Sequence, residues 1–429
     1  MNRNSSIQHE GDVLARRVKQ LMLNRRQIIC TGGALLASPF LALRQARAAV
    51  TSLRLTGVEL LPIRATARTV WLFVRLHTDT GLSGLGEASD AFGFANTTTA
   101  NADTMRARLR LFFDLVRGGS PLDVERYRQR GMPLVKGDLV SATAFSAIEQ
   151  AMWDLAGQAL GVSTYSLFGG KVRVSLPVYA NINRATNPRT PDGFAAAARR
   201  AVGDGFRAIK AAPFDGFPAP GSPAKEIDAA VDAGIAAVVA MREAVGPVVD
   251  VMIDCHSFFD VDRAVTVAKR LEPQRLAWYE EPVAPERVDD TLAIKRRISQ
   301  PMSGGEVLFG VAGFAPLVQR HAVDVIMPDV KHCGGLLELT RIAAAADAEG
   351  VKVSPHNPSG PISMAASVQV AAGMRNFNVL ELQYGEVPWR GELLSPPEQL
   401  LNGQIAVPDR PGFGIVLNEA AIRRRALPL

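Results

Sequence analysis

The segment VDVMIDCH (249–256) is an apolar run that ends in polar residues, as a buried strand does where it opens into a loop. The segments AWYEEP (277–282) and MSGGE (302–306) repeat this pattern. Their acidic residues Asp254, Glu280 and Glu306 stand at equal intervals of 26 residues, which is room for one strand and one helix. The spacing therefore predicts parallel βα units whose carboxylates lie at the same end of neighbouring strands.

The same alternation extends over residues 173–394, where short apolar strands and longer alanine-rich helical stretches follow one another. The predicted strands cover residues 178–183, 208–212, 249–255, 277–280, 302–306, 323–327, 351–354 and 379–382. The predicted helices include residues 190–202, 224–245, 261–271, 338–348 and 360–372. Eight strands joined by helical crossovers predict a parallel α/β barrel of the TIM type, although alternation alone also allows a doubly wound sheet.

Residues 49–172 show a different pattern, with strand-like residues up to about residue 86 and helical spacing from about 99 to 160. The clearest strand is VWLFVRL (70–76), and apolar residues recur every three or four positions in 141–160. This order predicts a compact α+β domain. The Pro- and Gly-rich segment 395–429 is expected to pack back on that domain.

The formal net charge of +6 is concentrated in residues 1–48, which hold eight basic and two acidic residues. The rest of the chain then has no net charge, which argues against nucleic acid or an anionic membrane surface as its main partner. Hydrophobic residues make up 47% of the 429 residues and charged ones 21%, which excludes a disordered or fibrous protein.

The basic end has the pattern of an export signal. Arg25-Arg26 precedes a short apolar stretch at 28–43 and an Ala-Arg-Ala exit at 46–48. The arginine pair resembles a twin-arginine signal, so we expect a periplasmic protein, or a cytoplasmic one if the signal does not function. The apolar stretch is shorter than the ~20 residues of a spanning helix, so no stable membrane anchor is expected. A basic amphipathic tail is the alternative, and Met22 is a second candidate start.

The three equally spaced carboxylates predict a metal site. Close carboxylates raise one another's pKa unless a cation lies among them, and all-oxygen ligation suits Mg²⁺ first and Mn²⁺ second. Alternatively, Asp254, Glu280 and Glu306 would each cap the following helix. Zinc is disfavoured because alternation along a strand directs Cys255 towards the helices, while Asp254 and His256 share the inner face.

Acid–base groups are predicted at the ends of the later strands. Asp329 ends the sixth strand and His356 the seventh, so the two can form a dyad in which the carboxylate orients the imidazole as a general base. Glu381 ends the eighth strand and is expected to serve as a hydrogen-bonding electrophile if it is protonated. Lys210, which ends the second strand, faces the same barrel mouth.

Several motifs together resemble the mandelate racemase and muconate lactonizing enzyme branch of the enolase superfamily, over roughly residues 51–425. The motifs are SAIEQAMWD (146–154), LFGGK (167–171), YEEP (279–282), GE (305–306), PD (328–329) and PGFG (411–414). The resemblance implies an N-terminal capping domain (49–172) and a modified (β/α)7β barrel (173–394). It also implies a homo-oligomer, because members are often dimers or octamers.

For the site, the resemblance implies Mg²⁺ held by Asp254, Glu280 and Glu306. It implies removal of the proton α to a carboxylate, with the resulting enediolate stabilised by the metal. Glu381 matches the electrophilic Glu of that branch. Specificity in the family comes largely from capping-domain loops, here 63–69 and 89–97, where Arg64, Arg68, Asp90 and Asn96 are candidates for substrate contact. The corresponding candidates after the first barrel strand are Asn181, Asn183 and Arg184, and Lys210 is expected to contact the substrate carboxylate.

Two departures narrow the function. The racemases carry Lys-x-Lys on the second strand, whereas this chain has Lys210-Ala211-Ala212 and so lacks the second base. Asp254-Cys255-His256 instead resembles the Asp-x-His of acid-sugar dehydratases. Our hypothesis is that His356, backed by Asp329, removes the α-proton and that His256 protonates the departing 3-hydroxyl, giving a 2-keto-3-deoxy acid.

Two alternatives stay open from the sequence. One is an epimerase or cycloisomerase of a hydroxy or sugar acid, with His256 and His356 as opposed bases. The other is an exported acid-sugar binding protein on an inactive scaffold, although binding alone does not require a complete set of proton-transfer groups.

Overall fold

The computed structural model describes residues 53–93 and 98–428, all within one compact unit, Ser52–Leu429. The predicted export signal at 1–48 and the candidate Asn96 lie outside the described residues. Within them, no helix combines the length and the apolar character that crossing a membrane requires.

The N-terminal part is the predicted α+β domain. Its antiparallel sheet has the order β1 (Leu55–Arg64), β2 (Val70–Thr78) and β3 (Ser83–Glu87). The helices α1 (Thr99–Phe113), α2 (Val124–Val135) and α3 (Leu139–Leu160) follow. Gly84 and Gly86 on β3 let α3 approach closely, because a Cβ at either glycine would overlap the carbonyl oxygens of Ala151 and Ala147.

Eight parallel strands follow and form the barrel. They are β4 (Ser175–Asn181), β5 (Ala208–Ala211), β6 (Asp250–Asp254), β7 (Trp278–Glu280), β8 (Met302–Gly304), β9 (Val325–Ile326), β10 (Lys352–Val353) and β11 (Leu380–Gln383). Each pairs with the next from β4 to β10, and β11 pairs with β4. Backbone bonds from Asn378 N to Val353 O (2.9 Å) and from Glu381 N to Pro355 O (3.4 Å) join the last two strands.

Seven helices connect these strands in the described residues. They are α4 (Pro191–Gly203), α5 (Ala224–Val245), α6 (Val261–Leu271), α7 (Val288–Lys295), α8 (Gly310–Gln319), α9 (Gly335–Ala348) and α10 (Pro361–Ala371). The predicted (β/α)7β barrel is therefore confirmed, and the doubly wound sheet is excluded because β11 returns to β4.

Six of the eight barrel strands, all except β7 and β11, end one or two residues earlier than the sequence predicts. Strand β8 ends at Gly304 and not at Glu306, and β10 ends at Val353. After β6 and β8 the backbone leaves the extended conformation, with φ of 42° at His256 and 107° at Gly305. Several polar residues of the predicted site therefore lie in loops just beyond the strands.

The C-terminal segment contacts both parts. Strands β12 (Leu394–Ser395) and β15 (Val416–Leu417) pair, and the hairpin of β13 (Leu400–Leu401) and β14 (Gln404–Ala406) pairs with β4. Helix α11 (Glu419–Arg425) packs near β1, where Leu427 N donates to Pro62 O (2.9 Å). The segment thus contacts the first domain and also the end of the barrel opposite the site.

Candidate active site

The three carboxylates come together at the carboxyl ends of adjacent strands. Asp254 is the last residue of β6, Glu280 the last of β7, and Glu306 stands two residues after β8. One oxygen from each lies within 4.8 Å of the others. Trp278, inside the barrel, donates from Nε1 to Glu280 Oε2 (2.9 Å) and fixes that carboxylate.

The cluster fits a hard divalent cation on two counts. Its donors are three carboxylate oxygens, the ligands that such ions prefer. Burial and the charge of Asp254 raise the pKa of Glu280 well above its usual range, even though Lys210 opposes the shift. A cation among the carboxylates would relieve this repulsion, which helix capping would not do.

The predicted dyad is formed. His356 Nδ1 lies 2.7 Å from Asp329 Oδ2, and His356 Nε2 lies 3.1 Å from Glu306 Oε2, so the imidazole bridges the dyad and the carboxylate cluster. Burial lowers the pKa of His356, but Glu306, Glu381 and Asp329 outweigh burial and raise the pKa to about 9. Asp329 also accepts from Lys331 Nζ (2.6 Å), a fully buried side chain whose role the sequence left unassigned.

His256 contacts the carboxylate cluster from a loop, so the alternation of side chains along a strand does not describe its orientation. It lies beyond β6 in the left-handed region, with Nε2 at 3.1 Å from Asp254 Oδ2 and Nδ1 at 2.6 Å from Asp215 Oδ1. Burial lowers the pKa of His256, but Asp254 and Asp215 raise it well above its usual range. Cys255 is buried in the strand–helix core, as predicted.

Asp215 is a site residue that the sequence analysis missed. It stands four residues after β5, in a loop too far from the strand end for a strand-based search. Its contact with His256 gives that imidazole a carboxylate partner, just as Asp329 does for His356. Each histidine therefore forms a dyad of its own, one on either side of the carboxylate cluster.

Lys210 and Glu381 form an ion pair inside the barrel mouth. Lys210 Nζ lies 3.0 Å from Glu381 Oε1 and 2.9 Å from Glu280 Oε1. Burial raises the pKa of Glu381, but Lys210 and His356 together lower it by more, so the net shift of the pKa is downward. The Glu381 carboxylate accepts from Asn181 Nδ2 (2.7 Å) and Asn357 N (2.9 Å), and its role as a protonated electrophile stays a prediction.

Comparison with known proteins identifies the family. Residues 56–169 match the family model for the mandelate racemase/muconate lactonizing enzyme N-terminal domain, and residues 193–421 match the model for an enolase C-terminal domain-like unit. The chain belongs to the enolase superfamily. Members of this superfamily bind a divalent metal, typically Mg²⁺.

Curated relatives in the enolase superfamily include the D-xylonate dehydratase of Haloferax volcanii, 33% identical over 82% of this chain and 84% of that protein. The D-gluconate dehydratase of Thermoproteus tenax is 34% identical over 83% of this chain and 70% of that protein. Among solved structures, the mandelate racemase/muconate lactonizing enzyme from Jannaschia sp. CCS1 has a TM-score of 0.77 and 28% identity, covering 88% of this chain and 98% of that one.

In this superfamily member, the residues predicted to bind substrate form hydrogen bonds and ion pairs with other protein side chains. Asn183 Nδ2 donates to Asp215 Oδ2 (2.8 Å), and Arg184 lies 3.2 Å from Asp90 and 3.3 Å from Glu386. Asp90 also accepts from the hydroxyl of Ser359. These contacts connect the capping domain with the barrel loops, and substrate binding by Asn181, Asn183, Arg184 and Asp90 stays a prediction.

Buried capping-domain carboxylates also tie the enolase-superfamily barrel to its cap. Glu149 on α3 accepts from the backbone amides of Leu336 (2.7 Å) and Leu337 (3.0 Å), at the start of α9. Glu87 at the end of β3 accepts from Gly360 N (2.7 Å) and Ser363 N (2.8 Å), at the start of α10. The sequence showed Glu149 within a motif but did not reveal this role.

His332 has a structural environment in this fold. It is buried, and its Nδ1 lies 2.8 Å from Thr143 Oγ1 on α3. Burial lowers its pKa to about 4, so the imidazole is neutral near neutral pH. His332 therefore belongs to the contact between cap and barrel.

Proposed function

We propose that the protein is a Mg²⁺-dependent sugar-acid dehydratase, a lyase that removes the proton α to the substrate carboxylate and eliminates the 3-hydroxyl. The product is a 2-keto-3-deoxy acid. The observation that carries this proposal is the pair of histidine–carboxylate dyads on either side of the carboxylate cluster. One dyad can accept a proton and the other can deliver one.

Different residues would bind the cation, remove the α-proton and protonate the departing hydroxyl. Asp254, Glu280 and Glu306 would hold the cation, which when bound supplies electrostatic stabilisation of negative charge developing on the substrate carboxylate. His356, oriented by Asp329, takes the α-proton at Nε2, the nitrogen that faces the cluster. His256, oriented by Asp215, gives the proton from Nε2 to the departing hydroxyl, which leaves as water. Lys210 and Glu381 compensate charge beside the cluster.

The relatives support the reaction class, because proteins named as dehydratases of D-xylonate and D-gluconate align over most of both chains. Mn²⁺ is the second choice of cation, since it accepts the same oxygen donors. An inactive binding scaffold is disfavoured, because two oriented imidazoles serve no purpose in binding alone.

The test is incubation of the purified protein with Mg²⁺ and a panel of mono- and di-acid sugars, with detection of the keto acid. Formation of a 2-keto-3-deoxy acid from any of them is the expected result. If the substrates bind but no keto acid forms across the panel, the dehydratase proposal is wrong.

The second candidate function is an epimerase or cycloisomerase. It is favoured by the same two dyads, which could also act as opposed bases on one carbon. Reaction in D₂O separates these functions. Epimerisation returns isomers of the substrate that carry deuterium at the α-carbon, and cycloisomerisation returns an isomer in which a lactone ring has opened or closed. Dehydration instead yields the keto acid.

We also propose that the protein is exported to the periplasm by residues 1–48. Support comes from the Arg25-Arg26 pair and the following apolar stretch. In cell fractionation, the wild type should appear in the periplasm and the Arg25→Lys, Arg26→Lys double variant should remain in the cytoplasm. An unchanged distribution would contradict the proposal.

A further inference from the structure

Lys331 is a fully buried cation beside the Asp329–His356 dyad. It lies two residues after Asp329, in the loop between β9 and α9, and none of its surface is exposed. Burial lowers its pKa, but the carboxylates of Asp329, Asp90 and Glu87 together raise it by more, so the ammonium keeps its charge. A charge at this depth is unfavourable unless it is compensated, so the position of Lys331 depends on the acids around it.

Lys331 donates to both oxygens of the Asp329 carboxylate. Its backbone N–H donates to Oδ1 (2.7 Å), and its Nζ donates to Oδ2 (2.6 Å). His356 Nδ1 lies 2.7 Å from the same Oδ2. This oxygen is therefore held between the ammonium and the imidazole, and the carboxylate cannot rotate without losing its contacts with Lys331.

The charge of Lys331 also favours the ionised form of Asp329. Burial raises the pKa of Asp329, but Lys331 is the strongest of the neighbours that lower it, and the net shift is downward. An ionised Asp329 can only accept, so the hydrogen of a neutral His356 stays on Nδ1 and Nε2 is free to accept a proton. A protonated Asp329 would instead donate to Nδ1 and place the hydrogen on Nε2, where it blocks the base.

We propose that Lys331 is a positioning residue, which holds Asp329 as a fixed, ionised acceptor for His356 Nδ1 and so keeps Nε2 available as the base. The inference rests on the proposed dehydratase function, in which His356 removes the α-proton. Lys331 also connects the dyad to the capping domain, because Glu87 and Asp90 of that domain help to compensate its charge. Proton removal then depends on a lysine that has no exposed surface.

The first test is Lys331→Met, which replaces the ammonium by an apolar side chain of similar length. With Mg²⁺ and a sugar acid that the wild type dehydrates, kcat should fall about 10²-fold while KM stays unchanged, since the defect lies in the proton transfer. Lys269→Met, which changes an exposed lysine on α6, should alter neither constant. An unchanged kcat in Lys331→Met, or a loss expressed in KM alone, would overturn the proposal.

A double variant tests whether Lys331 acts through Asp329. Asp329→Asn removes the carboxylate that Lys331 holds, so adding Lys331→Met to it should lower kcat by no more than about twofold. A further loss of about tenfold in the double variant would show that the two side chains act independently and would overturn the positioning role.

Proton NMR gives a readout that needs no turnover. The Nδ1–H protons of the two histidine–carboxylate dyads are expected at low field, and His356→Asn and His256→Asn assign them. Lys331→Met should shift or remove the His356 resonance and leave the His256 resonance in place. This result supports the positioning role even if no sugar acid is dehydrated, which would contradict only the proposed function. An unchanged His356 resonance would contradict the positioning role.

Lys331→Met leaves the buried carboxylate of Asp329 without its cation, so the folding of this variant is at risk. Lys331→Gln keeps a donor for Asp329 but removes the charge, and it takes the place of Lys331→Met in each measurement if that variant does not fold. The same outcomes then support or overturn the proposal.

Discussion

His256 and His356 contact different members of the carboxylate cluster. His356 contacts Glu306, whereas His256 contacts Asp254, so the cluster lies between two imidazoles. Each imidazole has its outer nitrogen fixed by a carboxylate, Asp329 or Asp215, which leaves Nε2 directed at the substrate side. This arrangement suits a reaction in which one histidine takes a proton before the other gives one.

Substitution of the two histidines should therefore separate the two proton transfers. His356→Asn should lower turnover about 10²–10⁴-fold and abolish exchange of the α-proton with D₂O. His256→Asn should lower keto-acid formation by a similar factor but retain α-proton exchange. The measurement is ¹H NMR of the substrate and product during the reaction in D₂O.

The control is His321→Asn, because the His321 side chain is exposed and lies beside Glu349 (3.8 Å), which is not a site residue. It should leave both turnover and exchange unchanged. Full turnover by His356→Asn, or loss of exchange in His256→Asn alone, would reverse or refute the assignment of roles.

Removal of divalent metal should abolish turnover and lower stability, because three clustered carboxylates then repel one another. Addition of Mg²⁺ at a hundredfold excess over Kd should stabilise the folded state by about 2.7 kcal/mol, seen as a rise in Tm. Glu306→Gln should reduce this Mg²⁺-dependent rise, while Glu286→Gln, which changes an exposed residue after β7, should keep it. EDTA-treated protein with full activity would contradict the cation site.

At the scale of the elements, the loops that carry the Asp329–His356 dyad are held by the capping domain. Helix α9 follows the Asp329 loop, and the backbone amides at its start donate to Glu149. Helix α10 follows the His356 loop, and the backbone amides at its start donate to Glu87. Backbone amides at a helix N-terminus lack partners within the helix, so a carboxylate there satisfies them and interacts favourably with the helix dipole. The cap thus positions residues that it does not itself supply.

Glu87→Gln should test this positioning. Its amide would place a donor against the backbone N–H of Gly360 or Ser363, which we expect to cost about 1–3 kcal/mol in unfolding free energy. Because the start of α10 anchors the loop with His356, kcat should fall more than KM rises. Urea unfolding, steady-state kinetics and hydrogen exchange of residues 355–360 measure the three effects.

The matched control is Glu226→Gln, which changes an exposed glutamate in the first turn of α5. It should alter neither kcat nor the hydrogen exchange of the 355–360 loop. Normal kcat and unchanged exchange in Glu87→Gln would show that Glu87 does not position the loop.

At the scale of the whole molecule, Asp154 joins segments that are far apart in the sequence. Its carboxylate on α3 accepts from Leu85 N (2.9 Å) on β3 and from Phe413 N (2.7 Å) in the C-terminal segment. Burial raises its pKa to about 7, although these two amides and Gln158 lower it in part. The folded state therefore holds a proton that the unfolded chain releases at a lower pH.

This shift predicts the sign of a pH dependence. An acid whose pKa is raised on folding contributes stability at low pH and loses it as pH rises, here between about pH 4 and pH 7. The loss in unfolding free energy from pH 5.5 to pH 8, measured by urea unfolding, should be smaller in Asp154→Asn than in the wild type. Asp114→Asn, which changes an exposed carboxylate, should match the wild type. Equal losses in all three proteins would contradict the raised pKa.

The quaternary structure belongs to this scale as well. Homo-oligomerisation stays a prediction from the resemblance to the family. Sedimentation analysis of the purified protein decides it, and a monomer at micromolar concentration would contradict it.

The sequence by itself determined the fold class and the positions of the chemical groups at the strand ends. Asp254, Glu280 and Glu306 could be found because strand periodicity and the length of a βα unit are local properties. The same reasoning placed Asp329 and His356 on adjacent strands, which the structure brings to 2.7 Å. Because the period of apolar residues is set by the local backbone geometry, the positions of the strands and of the residues at their ends can be predicted from the sequence.

Only the tertiary structure decided which partners these groups have. Asp215 and Lys331 lie in loops, and loop geometry depends on packing against distant segments rather than on a local period. The pKa of Glu381 is lowered because Lys210, from a strand on the other side of β4, lies 3.0 Å away. His256 points into the site through a left-handed backbone that strand alternation does not describe. Charge compensation and loop conformation are long-range properties, which is the physical reason that the sequence left them open.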